Sequence, residues 1–177
     1  MNVVEKYRKT IIAGLLFILS LCMFGCGNAN SGDTKGITLT VDTVDLNGEA
    51  VTSEVFKDKE YTLVNIWGTF CGPCIEEMPG LADIAAQMPD NMQIIGIVCD
   101  VYEDSDESVD DALNILEESG ADNFRHLRIN DELAEQLKQF KFVPTTILVN
   151  SEGEMVGKAI TGADINAYKE LIETYGQ

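Results

Sequence analysis

Tyr61-Thr62-Leu63-Val64-Asn65-Ile66-Trp67-Gly68-Thr69-Phe70-Cys71-Gly72-Pro73-Cys74 is a largely apolar run that gives way to two cysteines with two residues between them. Tyr61–Trp67 reads as a buried strand. Beyond the second cysteine, Ile75, Met78, Leu81, Ile84 and Met88 recur at helical spacing and predict a helix over 72–88. Cys71 therefore belongs where a strand hands over to a helix, facing unpaired backbone N–H groups and the positive end of the helix dipole. That position favours the thiolate, the nucleophile of disulfide exchange, and lowers a thiol pKa from its free value of about 8.5. Two intervening residues let Cys74 reach back and resolve a mixed disulfide.

Cys-x-x-Cys also forms half of many zinc sites. A closed site needs four ligands, and the chain offers no second such pair and a single histidine, His126, so no metal is expected. A purely structural disulfide is the other plain reading. A tight, exposed loop at a helix start makes the bond exchangeable and argues against it.

Outward from this stretch, the first residues read as a targeting segment. Lys6, Arg8 and Lys9 precede the almost unbroken apolar run Ile11–Phe24. Its length suits a signal peptide better than a membrane span, which needs about 20 residues. Met23-Phe24-Gly25-Cys26 resembles the lipobox of bacterial lipoproteins, with Cys26 as the lipidated residue; an uncleaved signal anchor is the alternative. Either way the domain is tethered outside the cytoplasmic membrane. Residues 27–36 are polar and rich in Gly, Asn and Ser, a flexible tether reaching roughly 15–20 Å on average. The expected organisation is a signal peptide over 1–25, a lipidated tether over 26–36 and one folded domain over 37–177, long enough for its own core.

The net charge is −18; residues 1–25 carry three basic groups and one acid, so the remainder stands at −20. Such a surface repels nucleic acid and anionic head groups and argues against both as partners. Of five cysteines, Cys22 lies in the signal segment and Cys26 is the lipidation site, leaving Cys99 beside the motif pair. Cys99 ends the apolar run Ile94–Val98 and reads as a small buried hydrophobe, with a three-cysteine relay as the rarer alternative.

Ile37–Val44 alternates like a strand, Asn47-Gly48 signals a hairpin, and Ala50-Val51 begins the return. Tyr61–Trp67, helix 72–88 and strand Met92–Cys99 make a βαβ unit. An acidic loop over 100–107 follows, then a helix to Ser119 capped by Ser108 with Asp111 and turning Val109, Leu113 and Leu116 inward. Gly120 ends it. Phe124–Ile129 is a short strand, and Asn130 caps a helix bearing Leu133, Leu137 and Phe140. Thr145–Val149 and Glu154–Ile160 form a hairpin across Asn150–Gly153, and a last helix from Asp164 buries Ile165, Tyr168, Leu171 and Ile172. This order predicts an α/β fold: a mixed sheet with helices on both faces.

Several residues carry chemical potential beside a plainer reading. Pro144 precedes a strand expected inside the sheet, where proline is ordinarily excluded; it is either a cis peptide in a tight turn or a strand-entry proline. Glu77 lies one turn beyond Cys74, placed either to move the Cys74 proton or to complement the helix dipole. Glu76 points elsewhere and reads as solvated charge. Asn65 faces inward and cannot titrate, so proton chemistry must come from another group. Pro79 should kink its helix. His126 reads as structural. The acidic run Asp100–Asp111 lacks the glycine and terminal glutamate of an EF-hand loop and reads as solvated.

With Trp67 to Cys74, Glu77, Pro79 and Val143-Pro144-Thr145 together, the chain resembles the thioredoxin-fold proteins, and more narrowly the TlpA/ResA group of membrane-anchored thiol–disulfide oxidoreductases. The resemblance covers roughly residues 37–177. It implies a thioredoxin-like fold with an N-terminal β-hairpin and a central helical insertion at 108–119. It implies that Pro144 is cis and beside the cysteines, that the Val143 backbone pairs with a substrate strand, and that Glu77 is the group's active-site glutamate. Trp67, Phe70, Gly72 and Pro73 complete the implied substrate surface. Phe70 stands where a tryptophan is commoner, altering the face offered to partners. Asn65 fits the group, since cytoplasmic thioredoxins carry aspartate there.

The function these readings imply is reduction of disulfides in exported proteins by Cys71 and Cys74, with no cofactor beyond that redox-active pair. Gly72-Pro73 resembles the pair of reducing thioredoxins, about −270 mV. Electrons must come from the cytosol, so a membrane thiol transporter of the CcdA/DsbD type is the implied partner. Family clients include apocytochrome c before haem attachment and extracytoplasmic methionine sulfoxide reductase. Two rivals share the fold. Copper-binding assembly proteins use a wider cysteine spacing with a well-placed histidine, and peroxiredoxin-type peroxidases need a Pro and Thr frame around their cysteine that this chain lacks.

Overall fold

Near-continuous apolar strands need cover on both faces, and the fold supplies it. The computed structural model describes residues 36–177; the expected signal segment, Cys22, Cys26 and the tether up to Lys35 lie outside the described residues. Strands β1 (Asp42–Val44) and β2 (Ala50–Thr52) pair antiparallel across a turn where Gly48 takes φ +83°, a conformation open to glycine. The expected longer first strand is divided: Thr38 bridges Glu154 near its start, and only its end pairs with β2. Its alternation still holds, with Leu39, Val41 and Thr43 buried.

The main sheet contains β3 (Tyr61–Trp67), β4 (Met92–Tyr102), β5 (Arg125–Ile129), β6 (Thr145–Asn150) and β7 (Met155–Thr161), ordered β5-β4-β3-β6-β7. β3, β4 and β5 run parallel, while β6 and β7 are antiparallel, so the sheet is mixed as the element order predicts. Four helices cover it: α1 (Gly72–Ala86), α2 (Val109–Ser119), α3 (Asp131–Leu137) and α4 (Ile165–Tyr175). Leu63, Trp67, Ile94 and Val98 face α1, α2 and α4, whereas Val64, Ile66, Ile95 and Ile97 face the N-terminal hairpin and α3. Period-two alternation thus divides one apolar sequence between two cores. No helix among the described residues is long and apolar enough to cross a membrane.

Helix boundaries follow local chemistry. Asn130 Oδ1 accepts the Leu133 N–H at 2.9 Å, and Asp164 Oδ1 accepts that of Ala167 at 3.0 Å. The helix α1 runs through Pro79 without a break in its span. Three expectations need correction. Ser108 does not cap α2 with its side chain; it sits at φ 67° with no capping hydrogen bond, and Asp110 and Asp111 instead place charge in the first turn. Leu113 is 37% exposed, because the helix phase turns Val109, Ala112 and Leu116 inward. β4 continues to Tyr102, so Asp100 belongs to a strand end and not to the acidic loop.

His126 on β5 is buried and neutral. Its Nδ1 accepts the Trp67 indole N–H at 3.2 Å, leaving Nε2–H to donate to the Ala121 carbonyl at 2.9 Å. Burial pushes its pKa down to about 4. The unfolded chain therefore binds an extra proton between about 6.5 and 4, and stability falls as pH drops through that window, by up to about 3 kcal/mol. Denaturant midpoints measured against pH should show this slope in the native chain, and it should flatten in His126→Gln. Glu77, whose pKa is raised, acts oppositely: its contribution is lost as pH climbs from the unfolded carboxylate value through the folded one.

Candidate active site

Cys71 is the N-cap residue of α1, at the end of a short turn leaving β3, as the strand-to-helix reading requires. The turn is held from β4: Thr69 N–H and Oγ1–H both donate to the Asp100 carboxylate, at 3.0 Å and 2.5 Å. Sequence reading missed this role of Asp100. The only available signal was that the parallel βαβ unit brings the ends of β3 and β4 side by side.

The two cysteines are joined by a disulfide with their Cα atoms 5.2 Å apart. Cys71 retains 7% of its surface and Cys74 none, so an incoming thiolate reaches Cys71 first. The Cys71 sulfur accepts the Cys74 backbone N–H at 3.3 Å. A backbone donor at a helix N-terminus is the environment that stabilises a sulfur anion.

Opposite the pair stands the loop before β6. Val143–Pro144 is a cis peptide, and the Val143 carbonyl oxygen lies 3.6 Å from the Cys71 sulfur. Behind it, the Gly162 N–H donates to the Pro144 carbonyl at 2.8 Å. Phe70 and Phe142, each 71% exposed, flank the site together with exposed Gly72 and Pro73. Phe142 was not foreseen; its signal was a bulky aromatic in the loop just before Val143-Pro144. Trp67, expected among the substrate contacts, is fully buried and bonded to His126, so its side chain forms the floor beneath the turn.

Beneath Cys74, the buried Glu77 meets Asn65 and Tyr168. Asn65 Nδ2 donates to Glu77 Oε1 at 2.9 Å and to Thr146 Oγ1 at 3.0 Å. The Tyr168 hydroxyl lies 3.0 Å from Glu77 Oε2 and 3.0 Å from the Gly162 carbonyl oxygen. Burial raises the Glu77 pKa, with the Asn65 and Tyr168 hydrogen bonds opposing it. Glu77 keeps only 4% of its surface exposed. Glu76 beside it is exposed. Asn65 faces inward as its strand position predicts, and Tyr168, whose helical spacing predicts a core place, also brings its hydroxyl to Glu77.

Cys99 points to the opposite core, against the sheet face away from Cys71 and Cys74. Burial, then the Asp100 charge, lifts its thiol to about 11. Cys99 is half-buried and packed against that core, short of the fully buried hydrophobe its sequence position predicts, and it lies on the sheet face away from the cysteine pair.

The Redoxin family model matches residues 31–172. ResA, a thiol–disulfide oxidoreductase of Bacillus subtilis (strain 168), is 29% identical over 180 residues, covering 96% of each chain. Among solved structures, the thioredoxin domain of a thiol–disulfide oxidoreductase from Bacteroides vulgatus is 27% identical, with a TM-score of 0.59 over 77% of this chain and 95% of its own. An exposed lipoprotein thioredoxin of Streptococcus pneumoniae aligns with a TM-score of 0.61 at 17% identity, over 76% of this chain and 98% of its own. With an exchangeable cysteine pair at the mouth of a thioredoxin-like fold, the chain belongs to the Redoxin family and is a thiol–disulfide oxidoreductase.

Proposed function

We propose that this oxidoreductase is tethered outside the cytoplasmic membrane through Cys26 and reduces disulfides of exported proteins. Residues 1–25 serve as the signal peptide, 26–36 as the lipidated tether and 37–177 as the catalytic domain. The cysteine geometry carries the reading: of the bonded pair only Cys71 keeps accessible surface, at a helix N-terminus, with Cys74 already within bonding range.

In the reduced enzyme, the Cys71 thiolate attacks a client disulfide, forming a mixed disulfide and expelling one client thiolate. Cys74 then loses its proton to the Glu77 carboxylate and attacks the Cys71 sulfur. The second client thiolate leaves, and the Cys71–Cys74 disulfide closes. Two electrons have passed to the client. A dithiol of the CcdA/DsbD type restores the pair by the reverse exchange, in which Glu77 protonates the departing Cys74. Phe70, Gly72 and Pro73 present the surface a client meets, and the Val143 backbone aligns its strand beside Cys71. The Gly72-Pro73 pair between the sulfurs supports the reducing direction. Apocytochrome c and extracytoplasmic methionine sulfoxide reductase represent the client class.

Cys74→Ser expressed in cells should accumulate exported proteins disulfide-linked to Cys71, releasable by dithiothreitol. Recovery of no adduct, or of cytosolic proteins alone, would overturn this reading. Glu77→Gln should slow mixed-disulfide resolution roughly tenfold at neutral pH, at the low end of the usual range for lost acid–base assistance. Stopped-flow fluorescence with a model disulfide reads the rate.

A further inference from the structure

The Tyr168 hydroxyl has two neighbours at 3.0 Å and one proton with which to serve them. The Gly162 carbonyl oxygen can only accept. If Tyr168 donates to Gly162, the contact with Glu77 Oε2 becomes a hydrogen bond when the proton sits on Glu77 and points at the phenolic oxygen. If Tyr168 turns its proton to an ionised Glu77, the contact with Gly162 becomes two lone pairs facing each other. One buried proton arrangement therefore satisfies every short contact, and in it Glu77 is the neutral acid.

The surroundings agree. Asn65 Nδ2 supplies donors to Glu77 Oε1 and to Thr146 Oγ1, and the Thr146 hydroxyl in turn bears on the Tyr168 oxygen. This orientation leaves Asn65 Oδ1 without a partner, and the reverse would orphan an N–H group, the costlier error. The groups acting on Glu77 are Asn65 from β3 and Tyr168 from α4, with Cys74 one turn back on its own helix. Nothing else titratable contributes to its shift.

We propose that Tyr168 is a positioning residue that ties the proton on Glu77 to the loop presenting Pro144. It rests on Glu77 exchanging a proton with Cys74. In the disulfide form Glu77 is protonated, and Tyr168 donates to the Gly162 carbonyl, whose residue holds the Pro144 carbonyl through its N–H at 2.8 Å. When a reducing dithiol attacks Cys71, the Cys71–Cys74 bond breaks and Cys74 departs with the electron pair. Cys74 takes the Glu77 proton, leaving a carboxylate. The Tyr168 proton then turns from Gly162 to Glu77, where a hydrogen bond to a charged group is stronger. Gly162 loses that donor, so the loop beside Cys71 registers which redox form the pair is in. Charge stays balanced throughout, because the proton only moves from Glu77 to Cys74.

Tyr168→Phe keeps the ring and deletes the hydroxyl. The ionised form of Glu77 loses its donor, so the pH limb of mixed-disulfide resolution should move to higher pH and the rate at pH 7 fall roughly tenfold, the equivalent of one charged hydrogen bond. Glu77→Gln should erase the limb in either background. A Tyr168→Phe limb at the native pH would overturn the Tyr168 role while leaving Glu77 standing; a limb that survives Glu77→Gln would overturn the Glu77 reading itself. A measurement on the native protein covers the case of a variant that does not fold. The Gly162 carbonyl carbon resonance should shift when the Cys71–Cys74 bond is reduced. An unchanged resonance would sink the coupling.

Discussion

Cys71→Ser is expected to reduce thiol–disulfide exchange to the uncatalysed level, a loss of at least about 10³-fold, in line with removal of a catalytic nucleophile. A serine hydroxyl at this N-cap meets the same helix N-terminus and the same Cys74 N–H, 3.3 Å from the native sulfur. Capping chemistry survives, and serine is a favoured N-cap, so the fold should lose little stability. What disappears is the sulfur itself, the nucleophile of disulfide exchange. Cys74→Ser behaves differently: the first attack proceeds, the second cannot, and the product is a covalent adduct. Reduction of a model disulfide, followed by mass spectrometry of the trapped species, separates the two variants. Residual turnover by Cys71→Ser would mean that the fully buried Cys74 reaches solvent, contrary to the burial of the site.

Gly96→Ala should destabilise the folded domain by about 3 kcal/mol, the upper range for overpacking a core. A methyl group at Gly96 would lie 2.1 Å from His126 Nδ1. That ring cannot swing aside cheaply. It is held by the Trp67 indole and the Ala121 carbonyl, and moving it leaves the indole N–H of a fully buried tryptophan unpaired. Trp67 is the floor of the turn that carries Cys71, so the damage should also reach exchange activity. Gly72→Ala makes the comparison, since a methyl group there meets open space. Urea unfolding of both variants decides the matter; equal midpoints would show that the β4–β5 contact yields without cost.

Much of this architecture was legible because it is local. Apolar periodicity marks Tyr61–Trp67 and a helix from Gly72 that it carries two residues past the observed end at Ala86, and Asn130, Asp164, Gly48 and Gly120 mark turns and helix ends through their own backbone chemistry. The cysteine pair could be placed at a helix start for the same reason. Errors arose where a short-range rule met a longer-range one. Ser108 had a good capping sequence but took a left-handed backbone, and Leu113 lost its inward place to Ala112 because the docking of α2, not its composition, sets its phase. Trp67 sits beside the motif in sequence, yet the pleat of β3 sends its ring into the core.

By itself the chain determined which two sulfurs exchange and where a helix receives them, since four consecutive residues and the flanking periodicities contain that information. Tertiary structure decided what surrounds them. Val143 meets Cys71 and Tyr168 meets Glu77, while Asp100, Thr146 and Gly162 hold Thr69, Asn65 and Tyr168 beside them; all come from distant positions and arrive only when the chain folds around β3 and α1. Proton chemistry belongs to that second group. A carboxyl's affinity for its proton depends on how much water it has lost and which donors face it, and no spacing along the chain records either quantity.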